Sequence, residues 1–285
     1  YPGADFDVFK PIQNKQGLRN FFGISQDATI FMMSGRNQVR KLFPNLMVAF
    51  KTYLNKIKSI DDFTYKNSLL YLHTTLPDIR TYNIPKLLVT LGIENRVLFT
   101  YNCIKCGKFF PNRWQSVITN CRFCNGEAIL PRVNFNIPPE ALNQVYNLCD
   151  LYIQYASSGA AEFPLIEAAS SGCNIAATDY AGMGDIVRRL DGIPIPIQAT
   201  FRDINVDAWR VIPNDEILSD EMVKFARRPR QINLRKGFNT SEICRKRFSW
   251  DKNAEIWMEA IDDTPLVDLQ GKWHANINYV PQQNI

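Results

Sequence analysis

An α/β protein with a doubly wound parallel sheet is what this sequence predicts, and three observations carry the prediction. Short apolar runs of strand length alternate with amphipathic helical stretches over most of the 285 residues, the order that yields parallel strands joined by helices. The segment Tyr155 to Asp179, YASSGAAEFPLIEAASSGCNIAATD, compresses one such unit: a small-residue loop after an apolar run, a short helical pattern containing Glu167, and a second apolar run. Small residues ahead of a helix N-terminus leave backbone N–H groups facing a bound anion. Two Cys-x2-Cys pairs interrupt the alternation and mark a small insertion.

Residues 1–24 open with turn residues and continue with aromatics, a connector into a domain spanning 25–262. That domain begins with Ala28 to Ser34 (ATIFMMS), a buried-strand run, followed by Gly35-Arg36 and a helix over Phe43 to Lys58. Leu46, Met47, Phe50, Leu54 and Ile57 recur at three and four, so one face of this helix lies on a sheet. Ser68 to Thr74 and Arg96 to Tyr101 are the next strands, with a short helix over Pro85 to Leu91 between them. The insertion covers 102–131. A helix over Pro139 to Cys149, a strand over Asp150 to Tyr155, a helix over Phe163 to Ser171 and a strand over Cys173 to Thr178 follow in quick order. Beyond Asp179 the pattern loosens to a strand over Ile193 to Ile197, a helix over Asp215 to Ala226, and a helical segment over Gln231 to Ile261 with Gly237 as a break. Residues 263–285 form a C-terminal tail that wraps the surface or is partly disordered.

Composition narrows the class. An apolar content of 46% is ample for a packed core, and 33 basic against 28 acidic residues give a net charge of +5. That balance is too mild to indicate nucleic acid, yet suits a phosphate-bearing ligand. No apolar run reaches the roughly eighteen residues of a membrane-spanning helix, and no signal peptide opens the chain, so a cytoplasmic location is the expectation. The basic residues of the last helical segment, among them Arg235, Lys236, Arg245, Lys246 and Arg247, are a solvated helix face, a peripheral contact with anionic lipid or, in a third version, a nucleic-acid surface.

Seven cysteines, an odd number, argue against a disulfide framework. Cys103 and Cys106, then Cys121 and Cys124, place two knuckles fourteen residues apart, the spacing that sets four thiolates around one structural Zn²⁺. Gly107 and Asn125-Gly126 supply the permissive backbone after each pair. The bland alternative is four reduced core cysteines. Between the pairs, Lys105, Lys108, Phe109, Phe110, Arg113 and Trp114 mix basic and aromatic side chains, which either form a contact surface or cover a small metal core and dock it on the parent domain.

Three further features converge on strand ends. Gly35-Arg36-Asn37-Gln38-Val39-Arg40-Lys41 follows the first strand, where ligands sit in open parallel sheets, so Arg36 and Lys41 reach a diphosphate or are merely solvated. Glu167 either complements the dipole of its helix or accepts hydrogen bonds from a ribose diol. His73 ends the second strand and lines the same cleft or is an ordinary packed histidine.

The motifs YPGADFDVFKPI, GRNQVRK, RVLFTY, PPEALNQVYNLCDLYIQYASS, FPLIEAASSGCNIAATDYAGMGDIV and RKRFSWDKNAEIWMEAI stand in a recognisable order. From Tyr1 to Asp262 the chain resembles the C-terminal, nucleotide-sugar-binding domain of GT-B glycosyltransferases of the large family-4 (group 1) type. The resemblance implies a Rossmann-like half of a GT-B fold and a retaining glycosyltransferase of hexosyltransferase type. Its donor is a nucleotide-diphosphate sugar, and its mechanism needs no metal at the reacting centre. Arg36 and Lys41 match the Arg-x4-Lys pair that binds the donor diphosphate and stabilises its departure. Glu167 matches the second glutamate of Glu-x7-Glu, which holds the ribose, and Gly35, Ser158, Gly159 and Glu162 complete the donor-binding set. Two departures stand out. The first glutamate's position is Gly159, with Ala160 and Ala161 in place of Gly-Phe, and Glu162, three positions later, stands in for it only if the loop is rearranged. The zinc ribbon is an insertion where the family carries a short loop. The acceptor and the acceptor-binding N-terminal domain lie outside this sequence, so the chain is expected to be inactive alone. The alternative is a degenerate transferase fold acting as a binding module through its ribbon.

Overall fold

The computed structural model describes residues 2–264, apart from 77, 79 and 80. The expected tail therefore lies almost wholly outside the described residues. In chain order the elements begin with helix α1 (Lys15–Phe22), strand β1 (Thr29–Ser34), helices α2 (Phe43–Ile60) and α3 (Asp62–Lys66), strand β2 (Ser68–His73), helix α4 (Ile84–Leu91) and strand β3 (Val97–Cys103). The insertion holds β4 (Phe109–Arg113), β5 (Ile118–Asn120) and β6 (Glu127–Ile129). Then come α5 (Pro139–Leu148), β7 (Leu151–Gln154), α6 (Phe163–Ser170), β8 (Asn174–Thr178), α7 (Ala181–Arg189) and β9 (Ile193–Ile195). A hairpin of β10 (Ile197–Asp203) and β11 (Ala208–Pro213) leads to α8 (Asp215–Arg227), α9 (Arg230–Arg247) and α10 (Trp250–Asp262).

Six strands make a parallel sheet in the order β3-β2-β1-β7-β8-β9. This is the doubly wound order in which connections run outward in both directions from the middle, leaving a crevice between the carboxyl ends of β1 and β7. The sequence of β1, TIFMMS, explains its central place: both faces are covered by helices, so a continuous apolar run replaces the alternation of a half-exposed strand. Phe31 shows the packing, with its ring 5.0 Å from Tyr53 of α2 and 6.1 Å from Phe225 of α8. The periodic face of α2 is buried at Leu46, Met47, Phe50, Leu54 and Ile57.

The insertion is an outgrowth of this sheet. Strand β3 runs past its parallel partner, pairs antiparallel with β4 along one side, and pairs with β6 at Asn102 and Cys103. Phe109 and Phe110 are buried, and Phe109 lies 4.9 Å from Phe22 of α1 while Phe123 stacks on Phe21 at 5.5 Å. Arg122 donates a hydrogen bond to the Phe22 carbonyl at 2.7 Å. The aromatics of this segment cover its core and dock it on the parent domain.

Four local differences from the sequence expectation have physical causes. Within residues 1–24, α1 forms between an Asn14 cap and Gly23 at φ +68°, and its Arg19 is fully buried. The segment Gln231 to Ile261 is two helices that part at Phe248-Ser249, and Gly237 is no break. A Cβ at Gly237 would stand 2.2 Å from the Gly172 carbonyl oxygen, so the glycine permits α9 to touch the chain ahead of β8. The run Ile193 to Ile197 ends in the sheet at Ile195, and residue 197 begins the separate hairpin. Helix α7, whose opening AGMG has weak helical propensity, had no place in the expected element order.

Candidate functional site

The crevice is built by two loops that meet across the switch point. The loop after β1 turns at Gly35, whose φ of +139° is strained for any other residue. It returns so that the Leu42 amide donates to the Tyr155 carbonyl and the Ser157 amide to the Arg40 carbonyl, at 3.1 and 2.8 Å. Residues more than a hundred positions apart are thereby fixed side by side at the strand ends. The second loop, 155–162, ends at Glu162, the N-cap residue of α6, whose side chain makes no capping bond. A cavity of about 1060 Å³ opens here, walled by Arg40, Ser158, Gly159, Glu162, Tyr180 and, from the hairpin, Trp209 and Arg210.

Each expected site residue has a definite place. Lys41 is almost fully buried, with Nζ 2.5 Å from Glu162 Oε2, while Arg40 Nη1 lies 3.1 Å from Glu162 Oε1. Burial pushes the Lys41 ammonium below its ordinary pKa, and the Glu162 charge opposes that shift. Gly35 touches this pair: a Cβ there would lie 3.7 Å from Lys41 Cε. Arg36 is half-exposed and pairs with Asp78 at 3.0 Å, a bond that raises its pKa. The structure thus brings Arg36 and Lys41 to the same strand end but gives each a different carboxylate. A Cβ at Gly159 would stand 2.4 Å from Glu162 Oε1, so a side chain there would require the Glu162 carboxylate to move. The Ser158 hydroxyl receives a bond from Arg210.

Glu167 is part-buried behind this loop and accepts a hydrogen bond from the Tyr146 hydroxyl at 2.9 Å. Burial raises its pKa, and the Tyr146 bond pulls the other way. Tyr146 belongs to a buried chain of hydroxyls: Ser34 Oγ lies 3.3 Å from Tyr146 Oη and 3.2 Å from Tyr152 Oη. His73 is buried, holds the Thr100 hydroxyl at 2.9 Å through Nδ1, and is pushed down to about 4 by burial, so it is neutral at pH 7. Asp78, Arg40, Tyr146 and Arg210 were not singled out by sequence reasoning. Only Arg40 carried a signal, lying inside the basic loop; the other three arrive through long-range packing.

The four paired cysteines lie together, with every Sγ within 4.8 Å of the others. Cys103 and Cys124 are 3.5 Å apart and Cys106 and Cys121 3.7 Å. A tetrahedral zinc–thiolate site, with Zn–S bonds of about 2.3 Å, needs sulfur–sulfur edges of about 3.8 Å, so the donor set fits. The turns fit as well: Gly107 and Asn125 adopt φ of +66° and +56°. Of the basic residues near the C-terminus, Arg245 donates to the Phe6 carbonyl and Arg247 to that of Arg189, while Arg235, Lys236 and Lys246 are exposed on the face of α9. Among the described residues no helix is long and apolar enough to cross a membrane.

Neither a protein-family model nor a curated protein sequence matches the chain at a significant level. Solved structures do. Anabaena HepE in complex with UDP-glucose aligns with TM-score 0.61 at 14% identity, over 93% of this chain and 57% of that one. Sucrose-phosphate synthase from Thermosynechococcus elongatus aligns with TM-score 0.59 at 16% identity, over 92% and 52%. The C-terminal domain of a group 1 glycosyl transferase, LpcC, from Francisella tularensis aligns with TM-score 0.56 at 14% identity, over 87% of this chain and its whole length. The chain has the fold of a Rossmann-like half of the GT-B glycosyltransferases. It spans just over half the length of the first two of these structures.

Proposed function

We propose that the chain is the donor-binding half of a retaining, family-4-like glycosyltransferase of hexosyltransferase type that uses a nucleotide-diphosphate sugar. The observation that carries this reading is the convergence of the Gly35–Lys41 loop, the 155–162 loop and the start of α6 on one crevice at the switch point of the sheet. Cations and helix N–H groups directed at one spot stabilise the charge that develops on a departing diphosphate. In this reading Arg36 and Lys41 carry the leaving group, with Gly35 allowing the close approach. Glu167, oriented by Tyr146, holds the ribose. Ser158 and Gly159 line the sugar end, and Glu162 stands between it and the diphosphate, paired with Lys41 and Arg40. Binding of UDP-glucose by HepE in the same fold supports the ligand class.

The four-cysteine cluster is assigned a structural Zn²⁺. Four thiolates close its coordination sphere, leaving it no part in the reaction. Burial of Phe109 and Phe110 disfavours a degenerate module that binds partners through the ribbon, because the aromatic side chains such a surface needs are occupied in the core.

Calorimetric titration with UDP, ADP and GDP tests the site. At least one is expected to bind, with affinity lost about tenfold or more in Arg36→Ala and in Glu167→Ala. Binding of none, or binding indifferent to both substitutions, refutes the assignment.

A further inference from the structure

Glu162 occupies the phosphate seat from within. Its two carboxylate oxygens are divided between two cations, Oε2 with Lys41 and Oε1 with Arg40, and the carboxylate and Lys41 are only 9% and 5% exposed. The side-chain atoms of Glu162 lie where a side chain on residue 159 would begin, so the glycine there is what gives the carboxylate its place. Arg40 also reaches the Ser158 carbonyl at 3.4 Å, tying the same loop to the pair. The position is the N-cap of α6, where helix N–H groups favour negative charge. A ligand phosphate that approaches Lys41 meets a carboxylate already holding it.

We propose that Glu162 is an internal competitor for the phosphate seat and sets the charge a ligand must bring. This rests on the reading of the crevice as a diphosphate site. A diphosphate presents several anionic oxygens, takes over both Lys41 and Arg40, and returns the Glu162 carboxylate to water. A neutral nucleoside can replace neither contact and leaves the pair closed. Glu162 therefore sets a threshold for anionic ligands: one with too few negative oxygens to take both cations is turned away, while a nucleoside that touches neither is unaffected.

Inorganic pyrophosphate, UDP and uridine, titrated calorimetrically into the native chain, Glu162→Gln, Glu162→Asp and Lys41→Met, test this. Pyrophosphate needs no knowledge of the donor base. Glu162→Gln is expected to bind pyrophosphate and UDP about tenfold tighter than the native chain, with uridine unchanged, because two cations lose their internal anion. Glu162→Asp, which keeps the charge but withdraws it from Lys41, is expected to gain less, and it carries the test if the glutamine variant does not fold. Circular dichroism checks each variant's fold. If the native chain binds pyrophosphate, loses it in Lys41→Met, and is matched or exceeded by both Glu162 variants' dissociation constants, the competitor role is overturned while the site stands. If no form binds either phosphate ligand, the reading of the crevice itself fails, and the proposal with it.

Discussion

Asp150 joins three segments that are far apart in sequence. It accepts from Arg19 at 2.8 Å, from Lys15 at 3.2 Å and from the Ile30 amide at 2.9 Å, at the amino end of the central strands. Burial alone would raise its pKa, but Lys15, Arg19 and the amide overcome that and hold it at about 2, below the ordinary 3.8. A carboxylate lowered on folding stabilises the protein above its ordinary pKa and loses that contribution as pH falls through the folded value. Native stability is therefore expected to drop by about 2 kcal/mol from this group alone between about pH 4 and pH 2. Asp150→Asn strands a buried Arg19 and is expected to cost about 3 kcal/mol at pH 7 and to flatten that pH dependence. Urea unfolding at pH 7 and pH 3 measures both; equal losses at the two pH values contradict the assignment. At this scale the site was half legible. Arg36, Lys41 and Glu167 stood out because charged residues at strand ends and helix starts are visible in a linear pattern. Their partners Asp78, Glu162 and Tyr146 were not assigned to them, because pairing across a fold leaves no periodic trace.

Among the elements, those with a clear apolar pattern, spaced in the helices α2 and α6 and continuous in the strands β1, β2 and β8, were legible to within a residue or two. Helix α1 was missed because KQGLRNFF contains a glycine and is anchored by the buried ion pair of Arg19 together with Phe22, too few apolar positions to make a periodic stripe. The β10–β11 hairpin was missed because most of its side chains are exposed, leaving no buried face to impose alternation. The ribbon shows the opposite case, where spacing of one residue type was enough. The proposed zinc is testable directly. Purified chain is expected to carry one zinc ion by atomic emission, and chelation or Cys121→Ser is expected to lower the melting temperature by at least about 5 °C. Limited proteolysis should then cut within 103–131 first. A zinc-free chain whose melting temperature is untouched by Cys121→Ser would falsify the metal assignment.

For the molecule as a whole, the strand order β3-β2-β1-β7-β8-β9 follows from rules of connection that a list of strands already constrains, which is why the fold class was readable before any coordinate. The activity divides differently. The solved structures of similar fold continue for nearly as long again beyond the part this chain matches. The chain alone is expected to bind a nucleoside diphosphate without transferring sugar from its donor. A coupled assay for released nucleotide, run with the donor whose nucleotide binds best, checks this, and sustained turnover would contradict it.

The pairing of β4 on β3 has a consequence for solubility. An outermost strand of a parallel sheet offers a row of unpaired N–H and C=O groups to any other chain. Here that boundary is handed to β4, whose Pro111 lacks a donor and whose Arg113 is charged and exposed. The four thiols thus guard more than their own loop: while they hold the ribbon folded, β3 is an inner strand. Once they are oxidised or mispaired, β3 becomes a sticky margin, and self-association rather than loss of ligand is the first symptom to expect.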